Sequence, residues 1–181
     1  MNISTVRMGV AALAIVLGSA PAFAATKAEL NSGGARALNK LVAKVPAAKA
    51  LNEKAVAVLV FPSITKAGLM IGGQYGEGVL LKGGKPVAYY STAGASYGLQ
   101  AGAQKYGYAM FFMNEKSLDS LNNAEGFEVG VGPSIVVVDE GMGKSTTSTT
   151  AMNDIYAFIF SQKGLMAGLG LQGNKITKLK K

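Results

Sequence analysis

Few side chains in this 181-residue chain could do chemistry. It has no histidine and no cysteine. That excludes Ser-His-Asp and Cys-His nucleophile systems and the usual zinc sites. Ser63-Ile64-Thr65-Lys66 has the spacing of the S-x-x-K acylation motif. Its companions, Ser-Asp-Asn and Lys-Thr-Gly, are absent, so a serine hydrolase using Ser63 and Lys66 stands only as an alternative. Gly143-Lys144-Ser145 copies the end of a P-loop, but Val138 stands where the first glycine is needed. The following Thr-Thr-Ser-Thr-Thr is also a poor helix start. Glu77, Glu128, Asp139 and Glu140 are isolated in sequence and assemble no glycosidase pair. No catalytic residue, metal or cofactor is expected.

The remaining pattern is basic. Arg36, Lys40 and Lys44 recur at intervals of four beside the apolar positions Leu30, Ala37, Leu38, Leu41 and Val45. A basic ridge flanking an apolar stripe is the pattern of a helix lying on a membrane surface. It is equally the pattern of a surface helix whose stripe packs on its own sheet. Lys49 and Lys54 follow on a second short helix, and Lys175, Lys178, Lys180 and Lys181 lie in a C-terminal tail that extends the set. Near an anionic surface each such residue contributes about 1 kcal/mol, so binding of this kind is useful and salt-sensitive.

The elements that position these residues begin after a leader. Arg7 supplies a positive start, Met8 to Gly18 is apolar, and Ala22-Phe23-Ala24 is an A-x-A cleavage site. The apolar run is shorter than the ~20 residues a spanning helix needs. Residues 1–24 therefore read as a cleaved secretory signal and 25–181 as one exported domain. Without cysteine it has neither a lipid anchor nor disulfides. Of the 18 basic residues Arg7 leaves with the leader, so 17 face 10 acidic ones, a net +7. A basic exported protein calls for an anionic partner. Lipid headgroups or acidic polysaccharide fit, and the compartment, periplasmic or secreted, argues against nucleic acid.

Thr26 to Val45 reads as a helix, Pro46 either ends it or starts the next, and Ala47 to Lys54 reads as a second short helix. Ala55 to Phe61 is a short buried strand. From Leu69 to Leu81, and again from Val87 to Gln104, apolar and small residues alternate with period two, which predicts strands. Lys82-Gly83-Gly84-Lys85-Pro86 is the turn between them. Tyr106 to Met113 continues as strand, and Asn114 caps a helix over 115–124 that Gly126 closes. Phe127 to Val131, Ser134 to Asp139, Ile155 to Phe160 and Leu165 to Gln172 supply further strands, and 174–181 a basic half-strand. Gly94, Gly98 and Gly102 have the spacing of a helix-packing motif, but their flanks alternate as strand. The class is α+β: a strongly curved antiparallel sheet or closed β-barrel, with N-terminal helices and one inserted helix packed outside. The small-residue faces point to closure around a tight interior.

VFPSITKAGLMIGGQYGEGVLL, residues 60–81, resembles the opening signature of the SYLF domain. Asp154-Ile155-Tyr156 and SQKGLMAGLGLQGNKI, residues 161–176, are similar to that family's second block. The resemblance implies binding of acidic phospholipids through an N-terminal amphipathic helix, here 26–45, and basic residues. It adds Lys66, followed by Ala67-Gly68, to Arg36, Lys40, Lys44, Lys49, Lys54, Lys175 and Lys178 as lipid-binding positions. The family's frequent tryptophan is missing after the first hairpin, where Val87-Ala88-Tyr89-Tyr90 stands. An exported chain meets no actin, so the actin binding of some eukaryotic members is not carried over. The expected function is peripheral, non-enzymatic binding of an anionic phospholipid membrane. An envelope interaction protein, oligomeric or bound to another chain, is the alternative.

Overall fold

The computed structural model describes residues 24–122, 127–128, 135–139, 153–164 and 174–181. Two helices lead, α1 (Lys27–Lys44) and α2 (Pro46–Lys54). A long hairpin follows, β1 (Ala57–Lys82) and β2 (Lys85–Phe112). Then come α3 (Glu115–Asp119) with a 3-10 turn at Ser120–Asn122, and the strands β3 (Phe127–Glu128), β4 (Ile135–Asp139), β5 (Ile155–Gly164) and β6 (Lys175–Leu179).

Local chemistry sets the helix ends. The Thr26 hydroxyl accepts from the Glu29 N–H while the Glu29 carboxylate accepts from the Thr26 N–H, a reciprocal capping box. Val45 leaves the helix extended, and Pro46, which needs no N–H partner there, starts α2. The stripe faces inward as expected: Leu30, Leu38, Leu41 and Val45 are buried. Gly34, a poor helix former, sits where a methyl group would overlap Val79 Cγ1. Its bare backbone lets α1 lie close on β1.

The hairpin turns at Gly83 and Gly84, with φ of 57° and 77°. Two positive φ values in a two-residue loop match the right-handed twist of the strands. Pairing is antiparallel from Lys82↔Lys85 to Ala57↔Phe112, with register shifts between Phe61 and Ile64, Leu69 and Ile71, and Leu80 and Leu81. At the middle shift Leu69 faces Ala101 but Ile71 faces Tyr97, so β2 carries extra chain and bends there. The first half of β1 then lies across its second half. A Cβ on Gly78 would stand 2.6 Å from the Val60 carbonyl oxygen, and one on Gly76 2.9 Å from that of Ser63.

β2 is the spine of a six-stranded sheet. β1 runs along one side of it. On the other side β6 pairs with 89–93 and β5 with 104–112. β3 pairs with β6, and β4 with β5. The α+β class and the curved sheet are as expected, but three expectations need correction. The sheet is not a closed barrel: the end strands β3 and β4 share no pairing among the described residues. Its curvature comes from the hairpin folding over itself, not from a ring. Its interior is not lined by small residues either, since Phe61, Tyr90, Tyr106, Tyr108, Met110 and Phe112 fill it. Finally, the sheet is not wholly antiparallel, because β4 runs parallel to β5. Among the described residues, 57–82 and 85–112 are each one continuous strand where the sequence reads as two apiece. The strand read at 165–172, the closing Gly126 and the 141–150 loop with its P-loop-like Gly143-Lys144-Ser145 lie outside the described residues.

Buried clusters lie on both faces of the sheet. Even positions of β2 between 106 and 112 pack with Leu59, Phe61, Ile159, and with Leu118 and Leu121 of the α3 segment. Ala109 and Phe111, with Val58, Val60, Val79 and Phe158, pack under α1 and α2. The helices are thus the outer layer of a three-layer stack.

Candidate functional site

The expected basic residues divide into three groups. Arg36, Lys40 and Lys44 are all exposed on α1, and Lys49 and Lys54 are exposed on α2. Successive fourth positions drift by about 40° around a helix, so the three on α1 form a ridge roughly 80° wide, facing away from Leu30, Leu38 and Leu41. From Lys27 to Lys54 six basic residues face two acidic ones, Glu29 and Glu53. That net +4 is more than half of the +7 carried by residues 25–181. The described ion pairs, Lys82–Glu115 and Lys181–Glu77, involve none of the five. The apolar stripe of α1 is consumed by its own core, so this face offers charge without insertion.

Lys175 and Lys178 form a second group on β6, and both are exposed. Their odd spacing puts them on opposite faces of the strand, so they do not share one patch. Lys66 is the third case. It is 4% exposed, opposite Gln104 on β1–β2, and lies inside the fold, apart from the ridge. The same placement undoes the acylation motif. Ser63 and Lys66 belong to one strand, not one helix, and three residues apart on a strand they point to opposite sides: Ser63 outward, Lys66 inward. Lys66 is not positioned to take a proton from Ser63.

Two polar clusters were not read from the sequence. Inside the fold the Tyr106 hydroxyl donates to Gln74 Oε1 at 2.7 Å, and Gln74 Nε2 donates to Asn174 Oδ1. Burial pushes the Tyr106 hydroxyl up to about 12, which keeps it a donor. This chain ties β1, β2 and the start of β6 together.

The second cluster surrounds Glu77, whose side chain is 8% exposed. Its Oε2 accepts from Lys181 Nζ at 2.7 Å and from the Ala25 N–H at 3.1 Å, and its Oε1 from the Tyr75 hydroxyl at 2.9 Å. Beside it opens a cleft of about 340 Å³ between the start of α1 and β1, lined by Glu29, Pro62, Ser63, Thr65, Tyr75 and Glu77 among others. Burial raises the Tyr75 hydroxyl to about 12, with help from the Glu77 hydrogen bond and charge. Burial also acts to raise Glu77. The hydrogen bonds from Lys181 and Tyr75, the Lys181 charge and the Ala25 N–H outweigh it, so the carboxyl is held below its ordinary 4.5. A lowered carboxyl contributes stability above its unfolded pKa and loses it as pH falls through the folded value. Acid titration of the unfolding midpoint is therefore expected to show a drop below pH 4.5 that Glu77→Gln reduces. An identical acid limb in the two proteins would remove this role. Glu77 was legible only as a solitary acid, because its partner is 104 residues away.

Among the described residues no group of acidic side chains could hold a metal ion, and no helix is long and apolar enough to cross a membrane. Residues 93–181 match the family model described as Ysc84, Las17-binding protein actin regulator. Over these residues the chain matches the SYLF domain. The match begins within β2 and includes the second of the two blocks read in the sequence, 154–176; the first, 60–81, precedes it. The helices with the basic ridge also lie ahead of the matched residues. No curated protein matches the chain.

Proposed function

We propose that this SYLF domain binds the surface of anionic phospholipid membranes peripherally, without catalysis, after export to the periplasm or beyond. The observation that carries the reading is the exposed ridge of Arg36, Lys40 and Lys44, continued by Lys49 and Lys54, on a helix pair whose apolar side is already buried. Such a face recognises phosphate charge at headgroup depth. A family described as Las17-binding and actin-regulating is one of binding proteins, which supports binding over chemistry. The test is co-sedimentation of the exported protein with neutral and anionic vesicles at low and high salt. Capture by anionic vesicles alone, reversed by salt, is the expected result, because surface charge is screened within about 8 Å at physiological ionic strength. Equal binding to neutral vesicles, or none to either, would sink it.

A second reading has its own observation. β1 pairs only with β2, leaving its other edge unpaired among the described residues, and Ile71 at the bend is 67% exposed. An open edge is a template for another strand. Under that reading the domain is an envelope interaction protein, and its mass by light scattering rises with concentration while vesicles leave it unbound.

A further inference from the structure

The Glu77 cluster receives the nitrogen that export would set free. The A-x-A motif Ala22-Phe23-Ala24 ends at the residue before Ala25. The Ala25 nitrogen lies 3.1 Å from Glu77 Oε2, and Lys181 Nζ, which holds the same oxygen, also donates to the Ala25 carbonyl. Hydrolysis of the 24–25 peptide bond adds water, leaves the carboxylate on Ala24 and turns the Ala25 amide nitrogen into an α-ammonium. We propose that Glu77 is the seat of this new N-terminus, so that leader removal creates a partly buried ion pair that fastens the start of α1 to β1.

The charges facing the site support this. From α1 comes Glu29, whose carboxyl is lowered mainly by its Thr26 hydrogen bonds and also by the charge of Lys181. From β1 come Glu77 and the Tyr75 hydroxyl, and from beyond β6 comes Lys181. In the uncut chain two carboxylates share one ammonium. Cleavage supplies the second cation and balances the group. An amide N–H offers the carboxylate one hydrogen bond from an uncharged donor, whereas an ammonium adds the attraction of opposite charges at the same separation. Departure of the leader also takes Ala24 out of the cleft wall, widening access to Ser63 and Thr65. The inference rests on the leader reading and is independent of lipid binding.

An ammonium held by Glu77 resists losing its proton, so its pKa rises above the ordinary α-amino value of about 7.7–8.0. Its stabilisation is complete below that ordinary value and disappears as pH rises through the raised one. The experiment expresses the full chain in a bacterium and purifies the exported protein. Mass spectrometry first reads its N-terminus, which tests the leader reading separately; a start other than Ala25 overturns the proposal. The rate of α-amine acylation at neutral pH is then compared between the exported protein and its Glu77→Gln variant. About tenfold slower labelling of the parent is expected, the effect of one pKa unit. Equal rates overturn the proposal. If the variant does not fold, the parent is compared with itself in denaturant, where labelling must speed up by the same factor. A parent carrying one extra glycine before Ala25 must also melt at a lower temperature, and an unchanged melting point counts against the seat.

Discussion

Replacing Arg36, Lys40 and Lys44 together by alanine is expected to weaken binding to anionic vesicles about 100-fold. Each basic residue near an anionic surface is worth about 1 kcal/mol, and a loss of about 3 kcal/mol corresponds to two decades of affinity. The substitution suits this helix. All three side chains are exposed, none enters a described ion pair, and alanine is the best helix former, so α1 keeps its capping box and its buried stripe. Lost binding with an unchanged melting temperature therefore reads on charge alone. The remaining affinity should also fall less steeply with salt. A triple variant that binds as tightly as the parent would leave the ridge an ordinary solvated face, and the open edge of β1 would become the surface to pursue.

Gly78→Ala is expected to cost about 3 kcal/mol, the upper end of what overpacking usually costs. The new methyl would meet the Val60 carbonyl oxygen at 2.6 Å and the Phe61 ring at 2.6 Å. The ring belongs to a fully buried side chain stacked on Tyr108, with centroids 6.3 Å apart. The carbonyl is backbone. Neither can step aside without opening the place where β1 crosses itself. Gly73→Ala is the matching control: it lies on the same strand, and its methyl would meet only the Gly94 carbonyl oxygen at 3.8 Å, so no comparable loss is expected. Urea unfolding of the two variants checks this. Equal stabilities would mean that the crossing can relax and does not set the curvature of the sheet.

Much of the scaffold was legible because its signals are local. The stripe from Leu30 to Val45, the break at Pro46 and the Gly83-Gly84 turn each act within a few residues, and each forms as read. Asn114 likewise caps α3 through the Ser117 N–H at 2.8 Å. The misreadings come from contacts distant in sequence. Alternating small residues suggested a narrow ring, but a glycine-studded strand can equally pass over another strand, as residues 76–78 pass over 60–64. Pro62 and the Ser-Ile-Thr-Lys run fall between two expected strands, yet β1 absorbs them through a register shift. The parallel pairing of β4 with β5 has no local signature, since period two is the same in either direction. For the basic set, exposure on α1 and α2 followed from helical spacing. The inward turn of Lys66 depends on how the bulge between Phe61 and Ile64 resets the alternation.

The long hairpin also dictates an order of assembly. Between its paired residues the intervening chain grows from Lys82↔Lys85 next to the turn to Ala57↔Phe112, 55 positions apart. Each pair closes only a slightly larger loop than the one before, so the two strands can zip from the glycine turn with little entropic cost at any step. β5 then has 43 positions to bridge at Phe112↔Ile155, and β6 has 90 at Tyr89↔Leu179. Long closures are slow. The zipper therefore precedes β5, β6 joins last, and the two latecomers share one template strand. Until then the far edge of β2 is bare along most of its length, which makes the nascent chain most vulnerable to pairing with a second copy before residues 175–179 arrive.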